Sequence, residues 1–204
     1  MISTSTLQLV KPVIDGTTNY ILQQIKDTVE YGEHNLLIYP NLRALTEIYS
    51  QYFKTRLEDN KEIILFLSTY QSVNCVRRNL RGVDLDVAKC EEDGSLVIID
   101  SVRGYFGSEA DVLCLVKILS KRAQNQSRSG CFVIADMGSF YLFRMVKELM
   151  KYEAFMPLKF DGRDNGLRCK AFCTYHQKDF DTCTEDEKQL LFEHHYRNFI
   201  VTAS

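Results

Sequence analysis

A chain of 204 residues, 45% of them hydrophobic, is long enough to form one sizeable core, and we expect a single globular domain. The formal net charge is -2, so no excess of lysine and arginine favours nucleic acid or an anionic membrane as a partner. No apolar run reaches the ~20 residues that cross a bilayer, and the polar N-terminus lacks the apolar core of a signal peptide, so we expect a cytoplasmic protein.

Residues 1–33 are expected to form a loose arm followed by a helix. In that helix Ile21, Ile25 and Val29 recur every four residues and therefore share one face. Gly32 is the expected stop.

From residue 34 to 204, apolar runs alternate with amphipathic segments. The run NLLIY predicts a buried strand, and the segment that follows places Leu42, Leu45 and Tyr49 at helical spacing. Ser72 and Gly82 are the expected start and stop signals of a later short helix. In chain order we predict strands at 35–39, 62–68, 86–90, 96–100 and 131–136, and helices over 42–58, 72–82, 110–123 and 140–153.

The C-terminal part changes character. Turn signals DG at 161–162 and NG at 165–166, with strand-like flanks, predict a hairpin or a final pair of strands. Thr184 stands three residues before Glu187, the spacing of a capping box, and predicts a terminal helix. Because apolar strands need cover on both faces and strands joined through helices are normally parallel, we predict a three-layer α/β/α domain with a mostly parallel central sheet, flanked by an N-terminal and a C-terminal helix.

In an open parallel sheet, ligands bind beyond the carboxyl ends of the strands. We expect polar tips there to orient a small ligand and aromatic faces to remove it from water. The residues that this rule and their chemistry select as ligand-binding are Tyr39, Tyr70, Asp100, Tyr105, Asp136, Met137, Cys173 and Tyr175.

A nucleotide hydrolase needs a glycine-rich loop with a lysine after its first strand. The corresponding loop here reads PNLRALTE, which has no glycine and no lysine, and Pro40 removes one backbone donor. We therefore expect neither ATP nor magnesium, and the cofactor stays unknown. Asp100, at the end of the strand LVIID, either caps the next turn, pairs with Arg103, or anchors a ligand.

Cysteine and histidine spacing does not define a metal site. The seven cysteines are single, without a CxxC pair, so neither a disulfide framework nor a zinc ribbon fits. We predict no metal, and His34, Cys173 and His194 are the candidate ligands if one binds. His194 and His195 point about 100° apart on a helix, so at most one of them can face a given site.

Several motifs together resemble one known family. His34 precedes Tyr39 by five residues, and DSVRGYF, ADMGSF, FCTYHQKDF and FEHH follow in order, a pattern similar to the MEDS domain over roughly residues 33 to 200. The resemblance implies a RecA- or KaiC-like core that has lost its phosphate loop and senses small molecules such as hydrocarbon derivatives. This chain has Leu36 where the family often has a cysteine.

The resulting hypothesis is a non-enzymatic sensory or regulatory domain, MEDS-like over 34–204, that binds a small molecule at the strand ends. It would signal through a protein partner, either a regulator or a kinase, or through a homodimer, without contacting nucleic acid or membrane. The 101–110 loop, with Gly104 and Gly107, is the candidate moving part.

Three alternatives remain open at this point. An enzyme could use Cys173 as a thiolate with a histidine partner, or a metal with Asp100, Asp136 and His194. A residual nucleotide-binding protein is a second alternative, and a scaffold whose pocket is filled by its own side chains is a third. A Cys173 sulfur more than about 6 Å from every imidazole would exclude the thiolate enzyme.

Overall fold

A seven-stranded sheet forms the middle layer of the computed structural model, which describes residues 13–107, 111–160 and 167–203. All described strands are parallel, in the order β1-β7-β2-β6-β5-β3-β4. The strands are β1 Val13–Gly16, β2 His34–Tyr39, β3 Glu62–Ser68, β4 Leu96–Asp100, β5 Gly130–Asp136, β6 Cys169–His176 and β7 Asn198–Val201.

Helices cover both faces of the sheet. Their amphipathic faces pack on strands that are apolar on both sides, so the central strands β2, β3 and β5 are buried throughout. The helices are α1 Thr18–Thr28, α2 Leu42–Glu58, α3 Val73–Arg81, α4 Val87–Glu92, α5 Ser101–Phe106, α6 Val112–Asn125, α7 Gly138–Leu142, α8 Val146–Phe155, α9 Gln177–Phe180 and α10 Glu185–Glu193.

The hydrophobic core has two layers, one on each face of the sheet. The first lies under α1 to α4 and contains the stacked rings of Tyr52 and Phe132, whose centroids are 4.0 Å apart. The second lies under α6, α7, α8 and α10 and contains Leu65, Val133 and Cys173. The second layer is the one that also holds a cluster of buried polar side chains.

The predicted α/β/α class is confirmed, and so are the local signals at two helices. The Ser72 side chain accepts a hydrogen bond from Cys75 N, and α3 ends at Gly82. Thr184 and Glu187 form both hydrogen bonds of the capping box at the start of α10.

Four details differ from the sequence-based expectation. The segment 86–90 is wrong as a strand: it belongs to α4, whose first turn is capped by the Asp86 side chain. The predicted helix 140–153 is interrupted at Arg144, which has a φ of 58° and separates α7 from α8. The first helix ends at Thr28 rather than at Gly32, and the edge strand β1 and the last strand β7 were not predicted.

The predicted turns at 161–162 and 165–166, the N-terminal arm and the end of the 101–110 loop lie outside the described residues. Within the described part, β6 enters the sheet as a strand parallel to both neighbours. No helix in that part is long and apolar enough to cross a membrane.

Candidate metal centre

Four side chains with metal-binding chemistry converge in the second core layer: His34, Glu153, Cys173 and His195. Each offers one ligand atom, and these atoms all lie within 4.8 Å of one another. His34, Glu153 and His195 have no exposed surface, and Cys173 is 4% exposed. The cluster is therefore isolated from bulk solvent. Charged groups interact more strongly in such a buried environment than in water.

The fold brings these residues together from four separate elements. Residues alternate between the faces of a strand, so His34 at the start of β2 and Cys173 in β6, which pairs with Leu36, lie on the same face. Helix α8 packs on that face and delivers Glu153 from its last turn. His195 follows the end of α10, which packs against α8.

Hydrogen bonds fix the orientation of His195. Its Nδ1 lies 2.6 Å from the backbone oxygen of Leu191. Because a carbonyl oxygen can only accept, Nδ1 carries a proton, and in the neutral ring Nε2 presents a lone pair. That Nε2 lies 3.4 Å from Oε2 of Glu153.

Tyr175 fixes the orientation of Glu153. The Tyr175 hydroxyl donates a short hydrogen bond to Oε1 of Glu153, and Oε2 has no hydrogen-bond partner among the described residues. Burial and the nearby Glu153 raise the pKa of Tyr175 well above its ordinary value, so the hydroxyl keeps its proton. Partners of this kind orient metal-binding carboxylates.

Cys173 and His34 complete the cluster. His34 Nε2 lies 3.0 Å from Cys173 Sγ and 3.8 Å from Oε2 of Glu153. Burial, followed by the charge of Glu153, raises the pKa of Cys173 well above its ordinary value, so without a cation the group is a thiol. A bound divalent cation would reverse this preference, because a coordinating thiol loses its proton.

The donor set fits a borderline transition metal. Two imidazole nitrogens, one sulfur and one carboxylate oxygen are ligands of zinc, cobalt or iron, whereas magnesium and calcium prefer oxygen alone. Four such donors match the tetrahedral coordination of zinc. The residues present therefore fit a metal of this class.

Tyr105, in α5, packs against the same core layer as this centre. Its ring is partly buried and packs against Phe140 and Tyr152, at centroid distances of 5.0 and 5.6 Å. Its hydroxyl oxygen is buried and has no hydrogen-bond partner among the described residues. Burial, then Tyr152, Cys173 and Glu153 raise the pKa of Tyr105 well above its ordinary value.

The residues that the sequence predicts to bind a small molecule lie on both faces of the sheet. Cys173, Tyr175 and Tyr105 lie on the face of the four-residue cluster, as does the buried Met137. Tyr39 belongs to the opposite core layer. The sequence placed all of them at one edge, whereas the structure distributes them over two environments.

At the carboxyl end of the strands, on the opposite face of the sheet, several polar side chains surround Asp136. Its carboxylate accepts hydrogen bonds from the backbone N–H groups of Thr69 and Gly138, at 3.2 and 3.0 Å. Burial raises its pKa to about 6. Beside it, the Tyr70 hydroxyl donates to Asp179 at 2.5 Å, and the buried Tyr39 hydroxyl has no hydrogen-bond partner among the described residues.

Asp100 has a local structural role. Its Oδ1 accepts a hydrogen bond from Val102 N at 2.9 Å and caps α5. Within the described residues, the four-residue cluster is the one group of three or more potential ligands that converge, and it does not include Asp100, Asp136 or His194. Cys173 does lie beside an imidazole, but its burial and raised pKa oppose a nucleophilic role.

Sequence reasoning did not name Glu153 and chose His194 as a candidate, whereas the converging cluster contains Glu153 and His195. Glu153 is one acid in a helical segment, and no local signal distinguishes it. Helical geometry allowed only one of His194 and His195 to face a site, and the structure buries His195 while His194 is half-buried at the end of α10. The chain direction at the end of α10 decides between them.

The fold defines a KaiC-like α/β domain. A KaiC-like protein of the hyperthermophilic archaeon Pyrococcus horikoshii is similar with a TM-score of 0.53 and 16% identity, over 89% of this chain and 77% of that one. An ORC2 protein of Aeropyrum pernix is similar with a TM-score of 0.40 and 11% identity, over 90% of this chain and 45% of that one. A search of curated proteins gave no match.

A comparison of the sequence with models of known families identifies the family. The model of the MEDS family, the methanogen/methylotroph, DcmR sensory domain, matches residues 33–195. The chain therefore belongs to the MEDS family, and the predicted resemblance is confirmed. This membership indicates a sensory or regulatory role.

Proposed function

We propose that this sensory domain receives its signal at a transition-metal ion bound by His34, Glu153, Cys173 and His195. The observation that carries the proposal is the approach of His195 Nε2 to Oε2 of Glu153 at 3.4 Å, while the His195 proton is held on Nδ1 by Leu191. Two lone pairs that face each other in a buried site repel unless a cation lies between them.

A proton is the simplest alternative cation. It would make His195 an imidazolium paired with Glu153, a buried ion pair that removes both charges from water. In that alternative the other two side chains pair with each other, since the Cys173 thiol can donate to His34 Nε2 at 3.0 Å. A metal ion would instead bind all four residues at once, in agreement with the convergence of their ligand atoms within 4.8 Å of one another.

A metal ion in this position would allow the domain to sense a small molecule. When bound, it would supply an electrophilic centre, and an acceptor atom of the molecule could bind as a fifth ligand, because such an ion can expand from four-coordinate to five-coordinate. The protein then changes state if one conformation binds the molecule better than another. We propose that the change passes to a protein partner or to a second copy of the chain.

Metal content is the direct test. The purified full chain is saturated with zinc or cobalt and then desalted. Elemental mass spectrometry should then find one retained metal ion per chain. Replacement of His195→Ala should remove most of this metal, whereas His194→Ala should retain it, because the two histidines are adjacent but only His195 lies in the cluster.

Cobalt provides a second readout. A thiolate ligand gives cobalt an intense near-ultraviolet absorption, which Cys173→Ser should abolish and Cys131→Ser, a buried cysteine of the neighbouring strand β5, should preserve. Equal metal retention by the His195 and His194 variants, or no metal in the wild type, would contradict the proposal.

A further inference from the structure

The Tyr105 hydroxyl is a buried donor in the core layer that holds the cluster. Its oxygen is shielded from solvent and makes no hydrogen bond among the described residues. A buried hydroxyl without a partner costs about 1–3 kcal/mol, so such a group normally has a bound molecule or water to satisfy it. The position of the Tyr105 hydroxyl indicates whether a bound molecule or a water is expected.

Tyr105 connects the surface to the interior of the second core layer. Its ring is partly exposed and its neighbour Phe106 is 38% exposed, whereas the hydroxyl end is buried. On the inner side the ring meets Tyr152, which directly precedes Glu153, and Phe140. The hydroxyl end of Tyr105 is therefore buried in the core layer that holds the cluster, while its ring is partly exposed.

We propose that Tyr105 recognises the sensed molecule by donating a hydrogen bond to an acceptor atom that is bound to the metal. This inference rests on the proposed metal centre. It makes Tyr105 a ligand-binding residue and not a metal ligand. The Tyr105 ring and its neighbours Phe140 and Tyr152 then form an aromatic wall around the rest of the molecule.

The surroundings define the chemical class of the molecule. The wall is aromatic, and a divalent ion would balance the two negative protein charges nearby, the Glu153 carboxylate and a metal-bound Cys173 thiolate. A site that is nearly neutral overall would not attract a nucleotide or another polyanion strongly. The site suits a small neutral or singly charged molecule with one hydrogen-bond acceptor and little other polar surface.

Azide is a suitable probe because it is small, carries one negative charge and binds to cobalt with a change in visible absorption. The experiment titrates azide into the cobalt-loaded full chain for the wild type, Tyr105→Phe and Tyr141→Phe. Tyr141 is the matched control, because its hydroxyl lies 3.1 Å from Cys183 Sγ, outside the cluster.

Loss of the Tyr105 hydroxyl should raise the azide dissociation constant about tenfold or more, the usual effect of losing one hydrogen bond to a charged group. Cobalt affinity should stay unchanged, and Tyr141→Phe should behave as the wild type. Equal azide affinity in Tyr105→Phe, the result expected if only water occupies the site, would overturn the proposal, as would a wild-type spectrum that azide does not alter.

The same measurements separate this inference from the proposed function. A wild type that binds no cobalt contradicts the metal centre itself. A wild type that binds cobalt and azide, with a Tyr105 variant of equal azide affinity, contradicts only the role of Tyr105. A parallel loss of cobalt affinity in Tyr105→Phe would show a structural role instead.

Discussion

Three carboxylates illustrate how neighbouring donors decide what a residue does. Asp100 accepts from the backbone of α5, and Asp136 accepts from two backbone N–H groups, so both have local partners. Glu153 accepts from a single side-chain donor, Tyr175, and its second oxygen faces His195. Glu153 is therefore the one of the three whose second oxygen faces other potential metal ligands, although Asp100 and Asp136 are the acids that the strand pattern highlights.

The raised pKa of Asp136 predicts a specific pH dependence of stability. Its pKa is about 6 in the folded protein, against about 3.9 in an unfolded chain, so between these values the folded state binds the proton more tightly. The free energy of unfolding should therefore fall as pH rises from about 4 to about 6, by at most about 3 kcal/mol, and then stay level.

Urea unfolding of the wild type and Asp136→Asn across this pH range measures the effect. The variant cannot ionise at this position, so the difference between the two unfolding free energies should change with pH in the stated direction. Parallel pH profiles would show that Asp136 does not titrate in this range.

At the scale of elements, α10 and α8 build half of the cluster. Helix α10 begins at a capping box and ends at Glu193, and the carbonyl of its residue Leu191 orients His195. Helix α8 starts after the left-handed Arg144 and delivers Glu153. The two helices pack together on the sheet face that carries His34 and Cys173, so their ends determine the geometry of the site.

The capping box gives an element-scale prediction. Thr184→Ala removes the hydroxyl that accepts from Glu187 N at 3.3 Å, and it should lower the free energy of unfolding by about 1 kcal/mol. Thr202→Ala, at an exposed position after β7, should change it by less than about 0.5 kcal/mol. Chemical denaturation compares the two, and equal effects would show that the cap contributes nothing.

At the scale of the whole molecule, the fold is KaiC-like, and the segment after β2 caps the next helix with its own side chain. Pro40 follows β2, and the Asn41 side chain accepts from Ala44 N at 3.0 Å, so it satisfies a donor at the start of α2. A phosphate would need such donors free. A phosphate at the start of α2 would therefore compete with Asn41 for this donor.

Thermal unfolding of the full chain tests whether it binds zinc and whether it binds nucleotide. Zinc at about a hundred times its dissociation constant should raise the melting temperature by about 5–10 °C, because it binds only the folded state. Millimolar Mg-ATP should leave the melting temperature unchanged. A rise of several degrees with Mg-ATP would show that the core still binds nucleotide.

The sequence by itself determined the fold class and several local features. Continuous apolar runs such as NLLIY can be buried only between two helical layers, and caps such as Ser72 and Thr184 act within one turn of their own residue. Where local preferences were weak, as in the short segment 86–90, the strand prediction was wrong because an acid cap and a helical turn satisfied its backbone instead.

Only the tertiary structure decided the site. His34, Glu153, Cys173 and His195 come from distant parts of the chain, and no spacing rule connects them. Their meeting depends on which strands are neighbours and on which sheet face each helix covers, and the choice of His195 over His194 depends on how the chain leaves α10. These are long-range packing outcomes, whereas periodicity and capping report only on a residue and its nearest neighbours along the chain.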